Sequence, residues 1–320
     1  MSATGGTKAI IAAFLANLGI AITKFIAWAV SGSASMLAEG VHSLADSGNQ
    51  LLLILGGRRA RREADREHPF GYGRERYVYA FVVSIVLFSV GGVFSIYEGI
   101  EKLQHPHELT NAWLPLLVLA IAIVLESFSL RTAVKESNPL RGKQTWVQFV
   151  RRAKAPELPV VLLEDLAALV GLVLALLGVG LTVLTGNSTF DAVGTLAIGS
   201  LLVVVAIILG IETKSLLVGE GANESDVALI EQAVLAGPEA ERIIHMKTLY
   251  LGPDELLVAA KVAFAADQRL LEVAAATNVI ERRIREAVPT ARAIYVEPDV
   301  WVDPQAVAPP TDAIVIKGLE

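Results

Sequence analysis

Ser31-Gly-Ser-Ala-Ser-Met-Leu-Ala-Glu39-Gly-Val-His42-Ser-Leu-Ala-Asp46 is the stretch on which the reading of this chain turns. It opens an apolar run, Ser33–Gly57, of the length that crosses a bilayer, about 20 mostly apolar residues. Yet the run carries an imidazole and two carboxylates. An ionisable group inside a membrane costs about 2.5–3.5 kcal/mol on insertion scales, so each one needs a partner or a function. His42 and Asp46 stand four residues apart, which a helix turns onto one face.

Working outward, five more runs have the same length and texture: Ala9–Val30, Tyr77–Leu103, Ala112–Ala133, Pro159–Leu184 and Phe190–Ile211. Six spans are therefore expected. The first is not expected to be a cleavable signal, because its start is barely basic, it is too long, and it runs through Lys24 with no small-residue cleavage site. The whole chain is greasy, 53% hydrophobic and 19% charged over 320 residues, with a mean hydropathy of +0.55. A net charge of −6 argues against a nucleic-acid partner. With no cysteine, thiol catalysis, disulfide scaffolds and Cys-ligated metals are excluded.

The connections alternate. Ser31-Gly32-Ser33, the stretch around His105-Pro106-His107 and Thr185–Thr189 are short and nearly free of Lys and Arg. Arg58, Arg59, Arg61, Arg62, Arg66, Arg74 and Arg76 crowd the loop after the second run, and Lys135, Arg141, Lys143, Arg151, Arg152 and Lys154 the loop after the fourth. Positive residues stay inside, so both loops and both termini are expected in the cytoplasm. The arginine cluster suffices as a topology anchor, with anionic lipid head groups as a secondary partner. The Ala- and Arg-rich composition points to a bacterial inner membrane.

From about Glu212 the texture becomes that of a water-soluble domain. Glu224–Ala236 and Leu270–Val288 read as amphipathic helices; Arg242–Leu251, Glu255–Ala265 and Arg292–Val296 read as strands, the first two joined by the turn Gly252-Pro253-Asp254. The order α-β-β-α-β suits a small ferredoxin-like α+β domain, with an antiparallel sheet and helices on one face. The expected organisation is a six-span helical transport domain (1–213), a cytoplasmic α+β domain (214–304) and a loose tail (305–320) that contains Pro309-Pro310.

The fifth run holds a second acidic pair, Glu164-Asp165, in otherwise apolar surroundings. At about 1.5 Å of rise per residue, Asp46 lies roughly 16 Å from the cytoplasmic end of its run and Asp165 roughly 9 Å from its own. The two acidic positions thus fall in the same half of the membrane. One imidazole and two carboxylates converging there make a site for a hard-to-borderline divalent cation, Zn²⁺ or Mn²⁺. Glu164 sits about 100° around the helix from Asp165, so only one of the two is expected to point squarely inward, Glu164 being equally suited to pair with Lys24 or another span. Lys24 and Glu126 are expected at helix–helix contacts.

These residues carry a resemblance. Ser31–Asp46 resembles the second-span signature of the cation diffusion facilitator family, and His68-Pro-Phe-Gly-Tyr-Gly-Arg74, leading into Arg76-Tyr77, is similar to the segment that follows it. Asn17 and Lys24 also sit where the family pattern places them. The resemblance covers nearly the whole chain, and it implies a homodimeric, proton-coupled exporter of divalent transition metals (Zn, Mn, Fe or Co). The metal would be held between spans two and five. By motif position His42, Asp46 and Asp165 are the implied ligands. The family usually has His or Asp four residues before the span-five Asp, where this chain has Val161. Glu164 or water is then expected to complete the shell, and the loss of an imidazole makes the site harder, shifting weight from Zn²⁺ towards Mn²⁺, Fe²⁺ or Co²⁺.

Other family positions carry over in part. Asp65 and His68 match an accessory metal site, but Tyr72 replaces a further His. His245 stands where members often have a cytoplasmic-domain ligand, but its usual partners are largely missing; with Glu297 as the one substitute, the domain is expected to bind metal weakly or not at all. The domain carries no nucleotide-binding glycine pattern, Walker sequence or nucleophile elbow, so no enzyme activity and no prosthetic group are expected there. Dimerisation and regulation are its implied role. Three other functional classes stay open from the residues alone: an intramembrane metalloenzyme in which the same donors activate a water, a metal-sensing membrane scaffold that does not transport, and an exporter of an organic cation, which leaves the imidazole unused.

Overall fold

The apolar runs form helices, and the computed structural model describes residues 3–106, 111 and 113–302, with side chains of the first helix described from Asn17 onward. The tail 305–320, His107 and the side chains at the start of the first run lie outside the described residues. The chain forms two compact units, one running to Gly219 and the other comprising Glu220–Tyr250 and the chain from Asp254.

In the first unit α1 (Ala3–Ser31) and α2 (Ala34–Arg59) are followed by a rod made of α3 (Glu75–Val86), a π-helical segment (Leu87–Val93) and α4 (Phe94–Gln104). Next come α5 (Trp113–Arg141), a short α6 (Trp146–Arg152), α7 (Glu157–Thr185) and α8 (Thr189–Val218). Among the described residues four helices are long and apolar enough to cross a membrane: Glu75–Gln104, Trp113–Arg141, Glu157–Thr185 and Thr189–Val218. At 26 residues α2 has the length as well. Its load of Glu39, His42, Asp46, Asn49 and Gln50 is what separates it from those four. α6 is an element the hydropathy pattern does not reveal. It starts on a capping box in which the Thr145 side chain accepts from Gln148 N and the Gln148 side chain accepts from Thr145 N.

The helices pack around Met36, Val83, Leu87, Leu119, Leu172, Ile198, Leu202 and Leu209. Val124, Phe128, Leu177 and Ile207 face outward, as lipid-solvated positions do in a spanning bundle. The π segment and α4 approach α8 closely. A Cβ on Gly92 would meet Val203 at 2.7 Å, and one on Gly199 would meet the Ile96 nitrogen at 2.7 Å, the small-residue packing that membrane bundles use in place of a hydrophobic driving force.

One end of α2 is fastened by a buried carboxylate from α8. Asp191 accepts from the Ser33 hydroxyl (3.0 Å), Ala34 N (2.9 Å) and Ser35 N (3.3 Å). These are donors at a helix N-terminus, where a negative charge is favoured. Beside them Lys102 donates to the Gly32 carbonyl at 3.0 Å. At the beginning of α3 and α7, Arg76 and Glu157 form a two-point ion pair. α2 is thereby held at a set depth against α8.

The second unit contains α9 (Glu224–Val234), β1 (Arg242–Gly252), β2 (Glu255–Ala263), α10 (Leu270–Ala287) and β3 (Ala291–Asp299). The sheet order is β1-β2-β3. β3 runs parallel to β2, with Val258 opposite Ile294 and Ala260 opposite Val296, which corrects the antiparallel arrangement expected from the sequence. The reason is the intervening helix: α10 carries the chain back along the sheet, so β3 enters in the direction of β2. Ile230, Val234, Leu256, Val258, Val262, Ile280, Ile284 and Ile294 form its core.

Candidate metal centre

Polar side chains in the first unit gather on one small cavity of about 40 Å³. Its acidic wall is Asp46 from α2, Glu126 from α5, and Glu164 and Asp165 from α7. Asn17 of α1, Ser43 and Gln50 of α2 and Ser129 of α5 add neutral oxygens, and Val161 lines it too. Asp46 and the Glu164-Asp165 pair are more than a hundred positions apart in the chain, and the packing of α2 against α7 brings them together.

Each acid of α7 is steered by a different neighbour. Asn49 donates from Nδ2 to Glu164 Oε1 at 2.8 Å, and Ser129 donates to Asp165 Oδ2 at 2.9 Å. The cavity lies against α7 with α2 on one side and α5 on the other. Two neighbouring residues about 100° apart on a helix therefore both line it, Glu164 bonded to another span.

His42 is buried beside this wall rather than on it. Its Nε2 lies 3.4 Å from Asp46 Oδ2, and among the described residues neither ring nitrogen has a hydrogen-bond partner. The π segment passes its other edge, where a Cβ on Gly91 would lie 3.9 Å from Nδ1. π turns inside α-helices are frequent at functional positions. Among the described residues no three His, Asp or Glu side chains close on a single point; the acids stand around a space.

Lys24 is hydrogen-bonded to α2. Its ammonium donates to Glu39 Oε2 at 2.9 Å and to the Ser43 hydroxyl at 2.6 Å, a buried contact between α1 and α2 that fits the helix–helix role expected of it. Glu126 differs from expectation: it lines the cavity. A lone acid in a spanning run reports only that a partner is needed, and which neighbours surround it is a long-range fact.

The accessory positions form a tight turn. Asp65 Oδ1 accepts from Glu67 N (3.0 Å) and His68 N (2.7 Å), and Oδ2 accepts from the Tyr72 hydroxyl (2.7 Å). These bonds, the hydroxyl's above all, hold the Asp65 carboxyl below the usual carboxylate range, while the same contact pushes the Tyr72 phenol up. The His68 ring lies 4.3 Å from that of Tyr72, and its Nδ1 is 3.6 Å from Asp65 Oδ1. In the second unit His245 is exposed on β1, in a groove with Glu231, Thr248 and Trp301. Glu297, its available partner by sequence, is 3.2 Å from Lys261 Nζ.

The pattern of the cation efflux transmembrane domain matches residues 10–218 of this chain, the helices that build the cavity. The chain belongs to the cation efflux family. Within that family it is similar to the mitochondrial proton-coupled zinc antiporter SLC30A9 of Xenopus laevis, 34% identical over 263 residues, 81% of this chain and 47% of the relative. Metal tolerance protein C4 of Arabidopsis thaliana is 28% identical over 259 residues, 80% of this chain and 57% of the relative. The cation-efflux pump FieF of Klebsiella pneumoniae is 26% identical over 251 residues, 78% of this chain and 79% of that protein. The chain thus spans about half the length of the first two relatives. Membership of the cation efflux family makes this an integral membrane protein, in keeping with its apolar helices.

Proposed function

We propose that this protein carries a divalent transition-metal cation (Zn²⁺, Mn²⁺, Fe²⁺ or Co²⁺) out of the cytoplasm in exchange for protons. The cation would bind in the cavity between α2 and α7, with Asp46, Glu164 and Asp165 as oxygen donors and His42 as the nitrogen donor beside them. The observation that carries this reading is the meeting of Asp46 with the Glu164-Asp165 pair on one cavity inside the family's transmembrane domain. Its similarity to a zinc antiporter and to a cation-efflux pump supports it.

The chemistry of the donors supplies the coupling. Ligation needs neutral imidazole and ionised carboxylate, so a cation and protons compete for the same groups. Facing the cytoplasm, the cation displaces protons; facing outward, protons displace the cation. A divalent ion leaving a negative interior works against about 2.3 kcal/mol per charge per 100 mV, which proton return offsets. Alternating exposure would come from rocking of packed helices, with α2 moving as one body with α8 through the Asp191 cap.

In the same reading α1 and α2 join the four apolar spans, giving six, with both termini cytoplasmic. The C-terminal unit serves a homodimer and its regulation. Asp65–His68 and His245 are accessory metal positions at most. The test is a panel of Zn²⁺, Mn²⁺, Fe²⁺ and Co²⁺ offered to proteoliposomes with an imposed pH gradient, for wild type, Asp165→Ala and Glu164→Ala. Gradient-dependent uptake of at least one ion by wild type and none by Asp165→Ala is expected. Turnover of a substrate in detergent without a gradient would instead favour an intramembrane metalloenzyme.

A further inference from the structure

α5 is the most lipid-facing of the four apolar spans, with Val124, Leu125 and Phe128 all exposed. In that setting it carries a glutamate. Among the described residues the Glu126 carboxylate has no hydrogen-bond or ion-pair partner, and it faces the cavity that Asp46, Glu164 and Asp165 also line. The cation that would offset it within the bundle, Lys24, is held by Glu39 and Ser43. An unpartnered acid in a spanning helix is a functional position by default.

A second observation, independent of the acids, points to a ligand in this place. His42 is 1% exposed, has among the described residues no hydrogen-bond partner at either ring nitrogen, and aims Nε2 at the Asp46 carboxylate of the cavity wall from 3.4 Å. The imidazole thus stands against the cavity's own carboxylate with its nitrogens free of hydrogen bonds.

We infer that Glu126 is a specificity-determining residue of the cargo cavity, a fourth carboxylate that shifts preference towards a hard, oxygen-seeking divalent cation such as Mn²⁺ relative to Zn²⁺. The inference rests on the transport reading above. The physical ground is the donor count. With Val161 contributing nothing to a cation, the cavity offers carboxylates from three helices and amide oxygens from Asn17 and Gln50, against one imidazole at its edge. Oxygen donors suit Mn²⁺, and imidazole suits Zn²⁺. Removing one oxygen charge weakens the harder ion more.

The experiment is gradient-driven uptake of Mn²⁺ and of Zn²⁺, measured separately on the full chain in proteoliposomes, for wild type, Glu126→Gln and Glu126→Asp. Wild type is expected to carry both ions. Glu126→Gln is expected to raise KM for both ions, for Mn²⁺ roughly tenfold or more and for Zn²⁺ by less than about threefold. Glu126→Asp is expected to restore Mn²⁺ uptake. A Glu126→Gln variant with both KM values unchanged overturns the inference. So does an equal loss for both ions without rescue by Glu126→Asp, which marks a packing role, and so does a wild type that carries Zn²⁺ alone. A wild type that moves neither ion under any gradient removes the transport reading itself.

Discussion

Asn49 donates its side-chain amide to Glu164 Oε1 at 2.8 Å, one fully buried residue of α2 fixing another on α7. The bond makes Glu164 part of the cavity wall. A carboxylate steered by a neighbouring donor binds metal better than one free to rotate, commonly by a factor of 10–100. Asn49→Leu is expected to raise KM for the transported ion by about tenfold while expression and membrane insertion hold. Asn49→Asp, which sets a second acid against Glu164, is expected to be worse still. Uptake kinetics in proteoliposomes check both.

The Lys24–Glu39 pair is buried, with 3% and 0% side-chain exposure. Removing one partner from such a pair strands a charge, at about 3–5 kcal/mol. Lys24→Met is therefore expected to lower the melting temperature in detergent sharply, and Lys24→Met combined with Glu39→Gln to recover much of the loss. If the double variant melts no higher than the single one, the pair is not what stabilises this contact.

The Asp191 cap is expected to stabilise the bundle, because three donors of the α2 start have their acceptor on this one side chain. Hydrogen bonds to a charged group contribute about 1.5–3 kcal/mol each, without adding fully. Asp191→Ala is expected to destabilise by about 3 kcal/mol, and Asp191→Asn by less. Thermal unfolding of the purified protein measures it.

In the C-terminal unit Arg283 bonds both oxygens of Glu239, at 2.8 and 2.9 Å, and this guanidinium holds the Glu239 carboxyl below its ordinary 4.5. A depressed carboxylate stabilises fully above the unfolded value and loses that contribution as pH falls through the folded one. The stability difference between wild type and Arg283→Met is thus expected to be constant near neutrality and to shrink below pH 4.5. Because the pair is only part-buried and reached by solvent, the difference is small. Melting of the C-terminal unit followed by circular dichroism across pH tests the direction.

The meeting of Asp46 with Asp165 was legible from spacing and depth. His42 and Asp46 declare themselves by an i, i+4 interval inside an apolar run, and Asp165 by its depth. What spacing cannot supply is which neighbour faces which. Glu126 reads as a lone acid until α5 is placed against α7, and the Glu164-Asp165 pair reads as half-wasted until Asn49 and Ser129 are seen approaching from two sides. Asp191 gave no signal beyond an acid near a helix start, since its partners lie more than 150 positions away. The π segment at Leu87–Val93 holds two glycines packed closely against α8, and hydropathy is blind to it. In the C-terminal unit the element order followed from periodicity, whereas the direction of β3 depended on the path of α10.

The most direct measurement is equilibrium binding of Mn²⁺ or Zn²⁺ to the purified full chain, with proton release recorded in weak buffer, for wild type and for Asp46→Ala combined with Asp165→Ala. The account predicts binding by wild type that expels protons and weakens as pH falls, and neither binding nor release by the double variant. Unchanged affinity and proton release in the double variant would place the cation somewhere other than the cavity between α2 and α7.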